Sequence, residues 1–316
     1  MLPGFMSPSA AFSRAFSIDT YAGSNATQSI SNGVKLASLG GLVWLKNYSG
    51  SPANGHHNLV DTFRGVNAPV FTDSDAAAPV QATLASIDAS GFTLGAFGPN
   101  EAAKNYVAWS FLKRERLFDI VTYAGNGANR TIAHNLTVEP SMILVKRTDS
   151  IKDWAVYHRG ILNTDYLVLN SIAAPVTDAT MWNSSSADGS VLSLGANASV
   201  NAIGGTYVAY LFGHDANPDG LIQGGSFTTD NTGNATVTLG WRPMYLLFKD
   251  VTSAANWNIL DTMRGWGAGI DPTLSPNLDS PEDASLDIGA PTSTGFTFNF
   301  ASIPFRKYIY VAVRSQ

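Results

Sequence analysis

The sequence predicts an all-β protein of three tandem antiparallel β-sandwich (jelly-roll-like) modules, on three observations. Gly, Asn, Ser, Thr and aromatic residues are plentiful, Lys and Glu are scarce, and charged residues make up only 14%. Few windows show the 3.6-residue period of an amphipathic helix. Short β-branched and aromatic runs recur instead, separated by Gly/Asn/Ser/Pro clusters at a spacing typical of sandwiches. A chain of 316 residues is too long for one small core, whereas a piece of about 100 residues buries enough surface to fold without staples.

The runs form a repeat, with five landmarks in a fixed order. An opening strand, Phe16-Ser-Ile-Asp-Thr-Tyr-Ala-Gly23, returns as Phe118-Asp-Ile-Val-Thr-Tyr-Ala-Gly125 and more loosely at Gly225-Ser-Phe227. An apolar strand ending in lysine follows: Leu42-Val-Trp-Leu-Lys46, Ile143-Leu-Val-Lys146 and Leu246-Leu-Phe-Lys249. A polar turn then leads to a strand closing on Arg-Gly, at His57 to Gly65, Trp154 to Gly160 and Trp257 to Gly265, the second copy two residues shorter. The fourth landmark is Gly91-Phe-Thr-Leu-Gly95, Val191-Leu-Ser-Leu-Gly195 and Gly295-Phe-Thr-Phe-Asn299. The last is Tyr106-Val-Ala-Trp109, Tyr207-Val-Ala-Tyr210 and Tyr310-Val-Ala-Val313. A period of this kind means that each copy is one structural unit.

The boundaries follow. An N-terminal arm, Met1–Arg14, precedes modules spanning residues 15–113, 117–215 and 221–316. The joints Arg114-Glu-Arg116 and Ala216-Asn-Pro-Asp-Gly220 are short, so the modules are expected to pack on one another. Period-2 alternation puts one face of each strand inward, and a one-residue slip would expose the aromatic face. A brief helix is placed near Ala76–Ala85 or Pro281–Ser285, on weak periodicity.

Several function classes are disfavoured. With no cysteine there is no disulfide framework, zinc-thiolate site or cysteine nucleophile. A net charge of −5 argues against nucleic acid, whose phosphates want clustered Lys and Arg. No run approaches the roughly 18 apolar residues of a membrane span, and the start reads as a tether rather than a signal peptide. Nucleophile-elbow, phosphate-loop and His-Glu-x-x-His patterns are absent, and no carboxylate pair stands out for glycoside hydrolysis. Neither an enzyme nor a cofactor is expected.

Module two carries Tyr123-Ala-Gly-Asn-Gly127, Met142 to Ser150, Trp154 to His158 and Val200-Asn-Ala-Ile-Gly-Gly-Thr-Tyr-Val-Ala-Tyr210. Module three keeps Gly240-Trp-Arg-Pro-Met244, Asn256 to Arg264 and Gly295-Phe-Thr-Phe298, and module one keeps Asp61-Thr-Phe-Arg-Gly65. These motifs resemble the repeat modules of tail-fibre-like and other virion structural proteins of bacteriophages, and cover nearly the whole chain after residue 15. In module three Phe305-Arg-Lys-Tyr308 stands where those repeats have a Gly-Gly-Thr-Tyr turn. The resemblance extends to concanavalin-like lectin sandwiches and implies carbohydrate contact. It also implies a place in the virion, tail-associated, with other virion proteins and a host cell-surface glycan as partners, and a homo-oligomer. The alternative is a capsid-decorating or connector role in pure packing.

Candidate sites follow from residue chemistry. Trp154 and Trp257, with His57 in the equivalent place, are candidate sugar-stacking platforms, because an indole face suits the apolar side of a pyranose. The competing reading buries them in the core or between modules. The repeated Lys46, Lys146, Lys249, Asp61, Asp261, Arg64, Arg159 and Arg264 read as structural, paired across adjacent strands. His56-His57 does not suit a metal, since strand neighbours point to opposite faces. Asp73, Asp75, Asp271, Asp279, Glu282 and Asp283 lie in loops without the ordered spacing of a calcium loop, and no metal is assigned.

Overall fold

In the computed structural model, which describes residues 14–50, 55–299 and 304–314, seven successive residues from Gly41 to Asn47 are all buried. Side chains alternate across a strand, so burial throughout requires cover on both faces. The other lysine-bearing strands, Pro140–Arg147 and Pro243–Asp250, are buried almost as completely. So are the closing strands Asn105–Leu112, Thr206–Gly213 and Lys307–Arg314. All six therefore lie in a middle layer. Residues 1–13 of the expected arm fall outside the described residues.

The all-β expectation holds. Each repeat contributes a larger and a smaller antiparallel sheet. In each larger sheet the opening strand (Phe16–Ala22, Phe118–Ala124 or Ile222–Thr228) pairs with the closing strand. The closing strand pairs in turn with the lysine strand, and the lysine strand with Asn58–Asp61, Ala155–His158 or Trp257–Asp261. The smaller sheets pair Gln28–Ser31 with Gly91–Leu94, Arg130–Ala133 with Val191–Leu194, and Asn234–Thr238 with Gly295–Asn299.

Alternate residues of the middle layer serve different cores. In the second repeat Ile143, Val145, Tyr157 and Leu211 pack outward with Ile132, Leu192 and Leu194 of the smaller sheet. Met142, Leu144, Trp154, Val156, Tyr210 and Phe212 face the other way. They join Tyr245, Leu247, Trp257, Ile259 and Val311 of the third repeat, and the core of the first, in one central cluster. Side chains at matching strand levels meet there: Phe111 lies 5.3 Å from Phe212 and 5.9 Å from Tyr245, ring centre to ring centre. The contacts close on themselves. Tyr210 Oη donates to Asp61 at 2.8 Å, joining the second repeat to the first. His158 Nε2 meets Tyr310 O at 3.1 Å, second to third, and Trp109 Nε1 donates to Asp261 at 3.1 Å, first to third.

Two local expectations are corrected. The closing strand of the third repeat is aligned on Tyr308, not Tyr310. Lys46, Lys146 and Lys249 lie opposite Val107, Val208 and Ile309, which puts Tyr106, Tyr207 and Tyr308 in one position. The rings agree, since Tyr21, Tyr123 and Phe227 stack on those three tyrosines at 5.2, 5.1 and 5.3 Å. Neither Ala76–Ala85 nor Pro281–Ser285 is helical. Pro79 interrupts the first stretch and a bridge from Asp283 to Thr273 holds the second, and both run as straps against adjacent repeats. The described helices are single turns: Leu36–Leu39, Ala179–Trp182 and Ala198–Asn201. None is long and apolar enough to cross a membrane.

Candidate functional site

The repeated residues sit at the seams between repeats. Trp154 and Trp257 are buried, and each indole N–H crosses a seam: Trp154 Nε1 to Phe71 O at 2.8 Å, Trp257 Nε1 to Val168 O at 3.0 Å. His57, also buried, occupies the matching position, accepts Trp44 Nε1 at its Nδ1 at 3.0 Å, and faces the backbone of Ser275. Burial holds its imidazole well below the usual histidine range, with the Lys46 and Arg264 charges acting in the same sense. With their ring faces covered, these three residues cannot serve as stacking platforms. They pack between repeats, as the competing reading had it.

The lysines follow one plan. Each ammonium, on a fully buried residue, donates to a carbonyl of its own repeat and to one of its neighbour. Lys46 takes Gly55 O and Asp279 O, Lys146 takes Lys152 O and Asp75 O, and Lys249 takes Ala255 O and Ile172 O. Burial pushes all three down to about 8. The expected Lys–Asp pairing is thus replaced by charge-assisted bonds to backbone. Arg64 and Arg264 do pair with Asp61 and Asp261, at 2.6 and 2.8 Å, but within a single turn rather than across strands. Arg159 pairs with Glu139 at 3.1 Å, because His158 fills the aspartate slot of the second repeat.

The exposed chemistry is elsewhere. His56 stacks on Phe71 at 4.6 Å with an interplanar angle of 15°. Its Nδ1 lies 2.6 Å from Asp73, and that hydrogen bond raises the imidazole above its ordinary value. The pair borders an open hollow of about 100 Å³, completed by Asn58, Gln81, Gly98 and Pro99. Phe97, 83% exposed, adjoins it in sequence. The loop carrying Phe97 is clasped by buried Asn100, whose Nδ2 donates to Ala26 O and Gly95 O. Asn201 makes the matching bonds to Ala128 O and Gly195 O. An aromatic stack rimmed by amide and imidazole groups can hold a polyhydroxylated ring by apolar contact on one face and hydrogen bonds at its edge.

Sequence reasoning missed Phe71, Gln81 and Phe97 because they do not repeat, and it considered His56 only as a metal ligand. His56 and His57 do point apart, one to the hollow and one to the core. Three of the six loop carboxylates have local partners for their side chains. Asp73 takes His56, Glu282 takes Arg264, and buried Asp271 accepts the N–H groups of Gly267, Ile288 and Gly289. Among the described residues no group of three His, Asp or Glu is placed to hold a metal ion.

Comparison with known proteins adds one relationship. No curated protein matches the sequence. The profile of a family described as a domain of unknown function, DUF7483, matches residues 11–314 and so spans all three repeats; the chain belongs to that family.

Proposed function

We propose that the chain is a structural protein of a bacteriophage particle, a tail-fibre or tail-tip component of three tandem β-sandwich modules that contributes to host-surface glycan recognition. Its role is binding rather than catalysis. The observation that carries this reading is the division of labour between buried and exposed groups. The repeated Lys, Trp, Asp and Arg residues are occupied in the seams, whereas the non-repeated His56, Phe71, Asn58 and Gln81 line one open hollow that the seams leave free. The motif resemblance supplies the virion context. A second reading, a connector or decorating subunit, is favoured by exposed Phe97, Ile203 and Phe305, at 83%, 83% and 66%, in the loops before the closing strands. Such side chains suit a protein partner better than a sugar.

Fluorescently labelled protein applied to candidate host cells separates the two. Saturable binding that blocks phage adsorption and is lost in a folded His56→Ala/Gln81→Ala variant supports glycan recognition. Absence of binding by folded protein transfers the assignment to the connector role.

A further inference from the structure

The three seams share a hydrogen-bond plan, and one of them is incomplete. Where the first repeat meets the second, Asp75 O accepts Lys146 Nζ at 2.9 Å and the Lys152 N–H at 2.8 Å. Three residues further on, the Ala78 N–H donates to Thr148 O at 2.9 Å. Where the third meets the first, Asp279 O accepts Lys46 Nζ at 2.9 Å, and three residues on the Glu282 N–H donates to Tyr48 O at 3.3 Å. Where the second meets the third, Ile172 O accepts Lys249 Nζ at 3.1 Å and the Ala255 N–H at 2.9 Å. There the pattern stops.

Tyr48, Thr148 and Val251 each stand two places after the repeated lysine, so Val251 O is the third acceptor. Three residues beyond Ile172 is Pro175, which has no N–H. The cause is legible in the chain. Asp75-Ala-Ala-Ala-Pro-Val80 of the first repeat corresponds to Ile172-Ala-Ala-Pro-Val176 of the second, one residue shorter. The deletion moves proline into the donor's place. Among the described residues no donor reaches Val251 O. A hollow of about 370 Å³ opens at the same point, bordered by Leu162, Ala174, Pro175, Val251, Thr252 and Lys307.

We propose that this seam is a docking site for an extended peptide segment of a partner protein. The two complete seams define the occupant. It brings a backbone N–H to Val251 O, as Ala78 and Glu282 do to their acceptors, and a small apolar side chain against Leu162 and Pro175. Lys307 and Asp165 both border the hollow, so its rim carries one charge of each sign and selects on the backbone and the small apolar side chain. Main-chain pairing supplies affinity and the flanking hollow supplies selectivity, as in other strand-like peptide complexes.

The test uses the whole protein and a synthetic heptapeptide of the strap sequence, Ser-Asp-Ala-Ala-Ala-Pro-Val, titrated while amide signals are followed. The expected result is saturable binding with shifts centred on Val251 and Thr252. Inserting one alanine between Ala173 and Ala174 restores the three-residue spacing, closes the seam from within, and weakens binding by about tenfold or more. Should that variant not fold, Leu162→Arg in the 68% exposed wall is expected to weaken binding similarly. Absence of saturable binding overturns the proposal, and so does binding that neither change weakens.

Discussion

Each seam tryptophan couples apolar burial to one directional bond. Trp257→Phe keeps most of the buried area but leaves Val168 O without the donor that reaches it at 3.0 Å. An expected loss of about 1 kcal/mol follows from removing the donor to this part-buried acceptor, and denaturant unfolding measures it. The slot shared by Asp61, His158 and Asp261 makes a sharper case. Its aspartates accept hydrogen bonds from Tyr210 and Trp109, whereas His158 faces a carbonyl oxygen, Tyr310 O. Burial pushes the His158 imidazole down to about 3. It stays neutral, accepting the Gly160 N–H at Nδ1 and presenting Nε2–H to Tyr310 O. The consensus change His158→Asp would aim a carboxylate at that oxygen, with no arginine three residues on to neutralise it. A penalty of roughly 3–5 kcal/mol is expected. Because that buried carboxyl would titrate high, the variant's deficit should deepen as pH rises above 4; a pH-independent deficit would refute the assignment.

At the scale of the strand, the same lesson appears at Gly224. Its register partners in the other opening strands are Ile18 and Ile120, and the glycine made the third copy look loose in sequence. A Cβ there would stand 2.4 Å from Ser141 Cβ and 2.8 Å from Tyr310 O. Gly224→Ala, a change toward the other two repeats, is therefore expected to lower stability by about 1–3 kcal/mol through overpacking. Ser141→Gly in the same chain should recover part of that loss, as coupled neighbours do; strict additivity in a thermal-melt cycle would disprove the contact. Strands and landmarks were legible because alternation and repetition are local. The third closing strand was misread because Tyr310-Val-Ala copies the motif two residues past Tyr308, and only pairing with Lys249 fixes the register. The double cover of the lysine strands was not visible either, since the second cover comes from another repeat. The hollow escaped for a different reason: His56, Phe71, Gln81 and Pro99 come from separate segments, one strand end and three loops, and none recurs.

For the whole molecule, the shared central cluster means that no repeat can open without stripping apolar cover from its neighbours. A single calorimetric transition is expected, and three resolved transitions would contradict it. The buried ionisable groups then set how that transition moves with pH. Neutral His57 and His158 bind fewer protons folded than unfolded, so stability falls as pH drops below about 6.5. The lysines act in the same sense at the other end. Their folded values of about 8 lie below the unfolded 10.5, so between these limits the unfolded chain binds more protons and stability rises with pH. Burial raises the phenols of Tyr21, Tyr123, Tyr210 and Tyr245 well above their usual range. They reverse the slope once unfolded tyrosine ionises, near pH 10 by the ordinary value. The melting temperature should therefore climb from pH 8, peak near the tyrosine onset, and fall beyond it. In a Lys46→Met/Lys146→Met/Lys249→Met variant the climb should flatten while the fall persists. A climb of unchanged slope in that variant would show that the three ammonium groups are not the source.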